Sequence, residues 1–443
     1  MAAETPTERA VSTYRDDWNR VTVDSPGYGR VNPETLSSRT DGEFFFRYID
    51  IGSVTRGEID WETVESMTFR DSPSRARRVV RRGDTLLCTV RPLLEAHTSL
   101  QRESEDPVIC STGFAVVRAE ENVSSAYLRH LPFCEPIKRQ LLAWQCGTNY
   151  PAVNERDIRN LVVPVPSIEE QAAIARVLDV VDTAIERVRN TARESANLGS
   201  ALIQDYFYSA LGVTAYADRP TKELPPGWLL KPMERLIEGE PKNGVSPSAN
   251  TQPPGVPTFS IAAVRDGRVD LANPDNLKYA DIREDVAEKY LVRTGDILIV
   301  RGNANPDLVG KAGRITDFPP GCIYPDIAKR VVLRDDEEPY LLPEFAVAAW
   351  NHSIVHNQIL RRAKTSNGTL KINNRDVKQI VVPVPPLPEQ ERFVEMITAV
   401  EAKIDAAKAV KSAYEELKKS LMHDLLTGTK RIDPTLFPQL LKG

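Results

Sequence analysis

The stretch VNERDIRNLVVPVP at residues 153–166 returns as INNRDVKQIVVPVP at residues 372–385, at an offset of 219 that continues through Glu170-Gln171 and Glu389-Gln390. A repeat of this length decides how the whole chain is divided, so it is read before any other feature. Weaker echoes lie upstream. Arg82-Gly83-Asp84-Thr85-Leu86-Leu87 answers Thr294-Gly295-Asp296-Ile297-Leu298-Ile299 at an offset of 212, and Trp18 answers Trp228 at 210. The growing offset reflects small insertions of the kind that loops accept. Between these anchors the copies share almost nothing, so the chain is two copies of one unit with a common framework and a divergent interior.

Each copy has two parts. The first is strand-rich, with short apolar runs such as Thr85–Val90, Gly113–Val117 and Ile297–Val300 set between Gly, Pro and Asp. It closes on a Pro-x-Pro segment, Pro164-Val165-Pro166 or Pro383-Val384-Pro385, where proline disfavours helix in the residue before it. The second part is a long helix. Ser167 and Glu170 predict a capping box at its first start, and Pro388 falls in the first turn of the second, where a missing N–H is tolerated. Apolar residues recur at Ile174, Leu178, Val181, Ile185 and Val188, and again at Phe393, Ile397, Val400 and Ile404. Alternating spacings of four and three form the seam of a coiled coil. At about 40 residues each helix is roughly 60 Å long, and each seam needs the other to cover it. The predicted fold is α+β with an internal pseudo-twofold repeat. Residues 1–166 and 212–386 are the strand-rich domains. Residues 167–211 and 387–426 are helices pairing as an antiparallel coiled-coil spacer, and 427–443 is a tail.

Composition sets the outer limits. In 443 residues, 41 % are hydrophobic and 27 % charged, the mix of an ordinary globular protein. No run approaches the ~18 apolar residues of a membrane span, and the first twenty residues have no apolar core of a secretory leader. Five scattered cysteines, none in C-x-x-C spacing, read as reduced thiols of a cytoplasmic protein. With 57 Lys+Arg against 62 Asp+Glu, the net charge of −5 disfavours a nucleic-acid binder that works unaided.

No catalytic constellation emerges. The chain has no phosphate-binding G-x-x-x-x-G-K-[ST] loop, no Asn-Pro-Pro-aromatic tetrapeptide of amino-methyltransferases and no G-x-S-x-G elbow. His352 and His356 have i, i+4 spacing, but no third ligand follows at motif spacing and the first copy lacks both. Local charge differs from total charge. Residues 70–91 hold seven arginines, among them Arg75, Arg77, Arg78, Arg81 and Arg91, against two aspartates, and residues 351–380 hold Arg361, Arg362, Lys364, Lys371, Arg375 and Lys378 against one. Arginine's planar fork suits phosphates and guanine edges. Polar loops sit at corresponding places before the shared Asn-x-Arg-Asp stretch: Thr148, Asn149 and Tyr150 in the first copy, Thr365 and Asn367 in the second. With Arg301 and Asn303 after the run Ile297–Val300, and leaving aside Arg375 and Lys378, these are the candidate DNA-contacting residues; no metal ligands or catalytic residues are assigned.

The order of strand-rich domain, Pro-x-Pro, Glu-Gln helix start, then the same again resembles the specificity subunit of type I restriction–modification systems. The resembling residues are Leu161–Pro166 with Glu170-Gln171, Ile380–Pro385 with Glu389-Gln390, and the Gly83-Asp84, Gly295-Asp296 and Gly227-Trp228 pairs. The resemblance spans Trp18 to about Leu426. It implies two target recognition domains, each reading half of a split, asymmetric sequence in double-stranded DNA. It implies a helical spacer that docks two modification (methyltransferase) subunits, joined by restriction (translocase/endonuclease) subunits. S-adenosylmethionine, ATP and Mg would belong to those partners, leaving this chain no cofactor and no catalysis. Competing readings are an adaptor of a modification-only system, a methyltransferase or nuclease with an unrecognised site, and a coiled-coil scaffold.

Overall fold

A computed structural model describes residues 10–147, 150–212, 217–265, 267–271, 273–335, 338–366 and 368–433. The chain forms two compact units, Met1–Asn190 with Lys408–Gly443, and Thr191–Ala407. The long helices, Ile168–Leu211 and Leu387–Thr427, therefore each contribute residues to both units.

In the first unit, one four-stranded sheet runs Glu65–Thr68, Phe45–Ile49, Val108–Ser111, Ala76–Val80, and a second runs Gly29–Val31, Phe114–Ala119, Thr85–Cys88, Thr98–Ser99. Ile49, Leu86, Phe114 and Val116 fill the core these strands share. In the second unit a six-stranded sheet has Ile297–Val300 near its centre, flanked by Ala328–Val331 and Ala312–Arg314. Both central strands, Thr85–Cys88 and Ile297–Val300, are buried at every position, which is why they read as unbroken apolar runs.

The repeated residues are framework. Val162–Val165 pairs antiparallel with Asn19–Thr22, and Val381–Val384 with Leu229–Pro232, so each strand after Trp18 or Trp228 is paired with the Pro-x-Pro segment of its own copy. The Asn-x-Arg-Asp stretch is a helix start. Asn154 and Asp157 form a capping box for Glu155–Arg159, and Asn373 and Asp376 form one for Asn374–Gln379. Gly83 and Gly295 adopt φ of 87° and 86°, open to glycine, in turns where Asp84 and Asp296 accept the N–H of Arg81 and Arg293 at 2.7 and 2.8 Å. Gln171 and Gln390 are wholly buried. Gln171 accepts the Ser124 N–H and donates to the carbonyls of Asn122 and Pro166, while Gln390 accepts from Leu342 and donates to Tyr340 and Pro385.

Half of the expected capping box forms at the first long helix. The Ser167 hydroxyl accepts the Glu170 N–H at 3.3 Å, but the Glu170 carboxylate is buried in a two-bond pair with Arg431, at 2.9 and 2.7 Å. In the second unit Glu389 accepts from Trp228 Nε1 at 3.0 Å and from the Tyr206 hydroxyl at 3.2 Å. Antiparallel helix pairing holds within each unit. In the first, Ile174 and Leu178 share a core with Met422 and Leu425, and Lys418 Nζ lies 2.6 Å from Asp182. In the second, Phe207 packs on Phe393 with ring centroids 5.9 Å apart, and a Cβ on Gly199 would lie 3.0 Å from Val400. Along the seam Ile174, Leu178, Val181 and Phe393 are buried, whereas Ile185, Val188, Ile397, Val400 and Ile404 are half-buried. A stripe shared by two helices leaves both flanks open to water; only where a sheet joins does burial become complete. Among the described residues no helix is long and apolar enough to cross a membrane.

Replacing Gln390 with Leu should lower the stability of the second unit by about 1–3 kcal/mol, because a buried N–H and two carbonyls lose their partners; chemical denaturation reads the change. A second prediction concerns acid. His97 and His352 are buried and accept the N–H groups of Cys88 and Ile354 at Nδ1. Burial pushes both down to about 4 from the ordinary value of 6.5. Between these values the unfolded chain binds protons that the folded one does not, so stability falls as pH falls through that window and is untouched by these groups above it. Thermal unfolding from pH 7 to 4.5 should show this loss, about 3 kcal/mol for His97 at the acid limit. His97→Asn, which keeps an acceptor without titrating, should flatten the first unit's share.

Candidate nucleic-acid interface

Most arginines of the run 70–91 are spoken for within the first unit. Arg75 donates to Asp50 at 2.7 Å and to the Tyr48 hydroxyl at 3.1 Å, Arg78 to Glu155 at 2.8 Å, and Arg81 to Glu34 at 2.8 Å. Arg82 pairs with Glu103 at 2.8 Å, and Arg77 donates to the Ala76 carbonyl and lies over the Phe69 ring. The local excess of cations in sequence is thus balanced in space by carboxylates 20 to 80 residues away. In the second unit Arg361 is paired with Asp218, and Arg362 donates back to the Gln358 carbonyl of its own helix, Ser353–Arg362. His352 and His356 do not share one helical face: His352 is the extended N-cap of that helix and packs against Phe207.

The remaining candidates gather at one place in each unit. The strand Gly302–Asn303 pairs with Thr369–Lys371, which pairs with Lys364–Ser366. In this register Gly302, Lys371 and Lys364 share one face, and Asn303, Leu370 and Thr365 the other. Two lysines directly opposite each other on one face repel. Among the described residues neither forms an ion pair, nor do Arg301 and Arg375, so this hairpin is a concentration of uncompensated positive charge. Arg301 leads into it, its N–H on the Ile327 carbonyl at 2.8 Å and its own carbonyl accepting the Ile372 N–H at 2.9 Å. Asn303 Oδ1 accepts the Asn305 N–H at 2.9 Å.

The first unit builds the same corner from other residues. Val153 donates to the Thr89 carbonyl at 2.9 Å, as Ile372 does to Arg301, and Val90 and Cys146 bridge to Ala152. Arg91 follows with a left-handed φ of 48°, its N–H on the Pro151 carbonyl at 2.7 Å. Its guanidinium lies 4.6 Å from the ring centroid of Tyr150, which is 72 % exposed. Thr148, Asn149 and Asn367 lie outside the described residues.

Sequence reasoning missed Lys329. Its ammonium is buried and held by Asn243 and Asn374 at 2.7 and 2.6 Å, and burial, reinforced by Arg301, lowers its pKa. Glu155 and Asn374 begin the two capping-box helices, and each takes a cation from a sheet, Arg78 and Lys329. The shared offset of 219 between 155 and 374 was the one available signal. Nor does the sequence reveal Trp61, which carries Arg47 at 4.8 Å and Arg102 at 3.7 Å from its centroid. Among the described residues one group, His130, Asp179 and Asp182, brings metal-type ligand atoms together. His130 Nε2 lies 2.7 Å from Asp179, but Arg129 already pairs with Asp179 and Lys418 with Asp182. With both carboxylates neutralised, the cluster fastens the loop to the first long helix rather than inviting a cation.

Residues 75–193 match the family model for the type I restriction modification DNA specificity domain. Over 306 residues the chain is 24 % identical to the type I restriction enzyme EcoKI specificity subunit of Escherichia coli (strain K12), covering 68 % of this chain and 64 % of that one. It is 21 % identical over 339 residues to the StySPI specificity subunit of Salmonella potsdam, covering 76 % and 69 %. The alignment thus spans less than two thirds of the EcoKI subunit. A chain solved in work on complex assembly and conformational transition of the type I R-M system has the same fold, with a TM-score of 0.54 at 24 % identity over 93 % of this chain and 98 % of the other.

Replacing Lys364 and Lys371 with Gln should weaken duplex binding for all sequences and lower the slope of log Kd against log salt by about one to two. Arg78→Gln should leave that slope unchanged and lower thermal stability by about 1 kcal/mol instead.

Proposed function

We propose that this chain, which carries a type I restriction modification DNA specificity domain, is the non-catalytic sequence-specificity subunit of a cytoplasmic type I restriction–modification complex. Each unit reads one half of a bipartite, asymmetric duplex site. The long helices set the gap between the halves and dock two modification subunits, which bring S-adenosylmethionine and the methylating site. Restriction subunits bring ATP, Mg and cleavage.

The observation that carries this reading is the pair of equivalent corners. One framework, pinned by the same strand pairing and the same capping box, presents Arg91 and Tyr150 in one unit and Arg301, Asn303, Lys364 and Lys371 in the other. A repeated scaffold with different tips suits a reader of two different short sequences. Duplex binding by the chain alone should be weak, because the overall charge of −5 repels phosphate and the partners supply much of the cationic surface.

The test is the methylation pattern of DNA modified by the chain together with its modification subunits. The expected result is a motif in two halves separated by a fixed number of unspecified base pairs. A single uninterrupted motif, or methyl transfer or cleavage by the isolated chain, would overturn the proposal.

A further inference from the structure

In each unit the central strand runs into a loop before its antiparallel neighbour begins. The loop is 89–97 between Thr85–Cys88 and Thr98–Ser99, and 301–311 between Ile297–Val300 and Ala312–Arg314. Both loops start at the shared corner, where the N–H of Val153 meets the Thr89 carbonyl and that of Ile372 the Arg301 carbonyl. Both then make one turn of 3₁₀ helix opened by a proline and closed by a leucine, Pro92-Leu93-Leu94 and Pro306-Asp307-Leu308. The offset is 212 at the corner and 214 at the turn, so the second loop is longer by two residues. Little else in the two loops agrees.

The two leucines are left outside the cores that anchor their turns. Leu94 is 67 % exposed and Leu308 44 %, while Pro92 in the first turn and Val309 after the second are buried. Both turns are held in place. In the first, Leu94 donates its N–H to the Arg91 carbonyl at 2.9 Å, and Glu95 behind it pairs with Lys138 and Arg56. In the second, Leu308 donates to the Asn305 carbonyl at 3.1 Å, and the Asn305 side chain accepts the Asp307 N–H at 2.9 Å. That turn packs on Gly302–Asn303, the strand that pairs with Thr369–Lys371. A leucine fixed in water forgoes the gain of burial, yet the same residue is left exposed twice, in loops of different length and sequence. Duplex DNA is the cover that the surroundings fit. Leu308 stands beside a hairpin whose opposed lysines, Lys364 and Lys371, form no ion pair among the described residues. Leu94 stands beside Arg91 on the corner that corresponds to it. Leucine has no donor or acceptor to offer a base. The major-groove edge of the four bases carries one apolar group, the C5 methyl of thymine, and apolar side chains read it by contact.

We propose that Leu94 and Leu308 are equivalent base-reading tips, each packing on the C5 methyl of a thymine in the half-site of its own unit. This deepens the reading of the chain as a DNA specificity subunit and rests on it. Asp307 stands where the first turn has Leu93, so the tips differ next to the shared leucine, as suits readers of two different half-sites. The experiment uses the chain assembled with its modification subunits and a duplex carrying the motif that the complex selects. Each thymine is replaced in turn by deoxyuridine, which lacks only the C5 methyl. One replacement in each half-site should weaken wild-type binding by about three- to fivefold, the effect of removing one buried methyl. Leu94→Ala should abolish that sensitivity in one half-site alone, and Leu308→Ala in the other alone, with thermal unfolding checking that both variants fold. Sensitivity that survives these substitutions, or a half-site without a sensitive thymine, would overturn the inference while leaving the specificity role intact. A wild-type complex that selects no sequence would overturn that role, and the inference with it.

Discussion

Everything in this fold hangs on a short strand with a proline in its middle. Val162–Val165 and Val381–Val384 each have one paired edge, so the groups on the other edge must be satisfied some other way. A buried glutamine does it in both copies. The Gln140 amide donates to the Val162 carbonyl at 2.9 Å and accepts its N–H at 2.8 Å, and Gln358 does the same for Val381 at 2.9 and 3.0 Å. Because backbone groups alternate along a strand, Pro164 and Pro383 fall where an N–H would also face away from the paired strand. Proline removes a donor that would otherwise be orphaned there. It also releases the chain into a helix whose buried glutamine, Gln171 or Gln390, closes the loop behind it. Strand, glutamines and helix start form one hydrogen-bonded unit, and loss of any member leaves buried groups unpaired.

That rigidity is what permits variation at the tips. The corner that carries Arg91 or Asn303 is pinned in the same register by backbone bonds, Val153 to Thr89 and Ile372 to Arg301, and backbone bonds are indifferent to side-chain identity. One copy can place an arginine on a tyrosine there while the other builds a hairpin of opposed lysines. The adjacent cation sites vary in the same way. Glu155 balances Arg78 with opposite charge, whereas Asn374 holds Lys329 with a neutral carbonyl, so the second unit keeps a positive charge beneath its corner that the first cancels.

The framework was legible in the sequence because its demands are local. A capping box needs Asn and Asp three residues apart, a turn at positive φ needs glycine, and a helix pair needs apolar residues at spacings of four and three. The repeat doubled each of these signals. Charge was far less legible. Seven arginines in residues 70–91 look like a surface for phosphate, yet Glu34, Asp50, Glu103 and Glu155 come from elsewhere in the chain to neutralise four of them. Glu170 shows the same limit. Its position three residues after Ser167 is right for a capping box, and only the tertiary approach of Arg431 diverts it. Pairing over about 20 to 260 residues leaves no periodic trace. Lys364 and Lys371, which form no ion pair among the described residues, stand out only once the register puts them opposite each other.

The long helices follow from the same division between local and tertiary demands. A seam of two helices protects its apolar stripe incompletely, as the half-buried Ile185, Val188, Ile397, Val400 and Ile404 show. Full burial comes where a globular core joins, around Leu178 with Leu425 in one unit and Phe207 with Phe393 in the other. Neither helix is therefore stabilised mainly by its own propensity or by the seam alone. Each is clamped near both ends, once by the core and glutamine that begin it and once by the opposite copy's core.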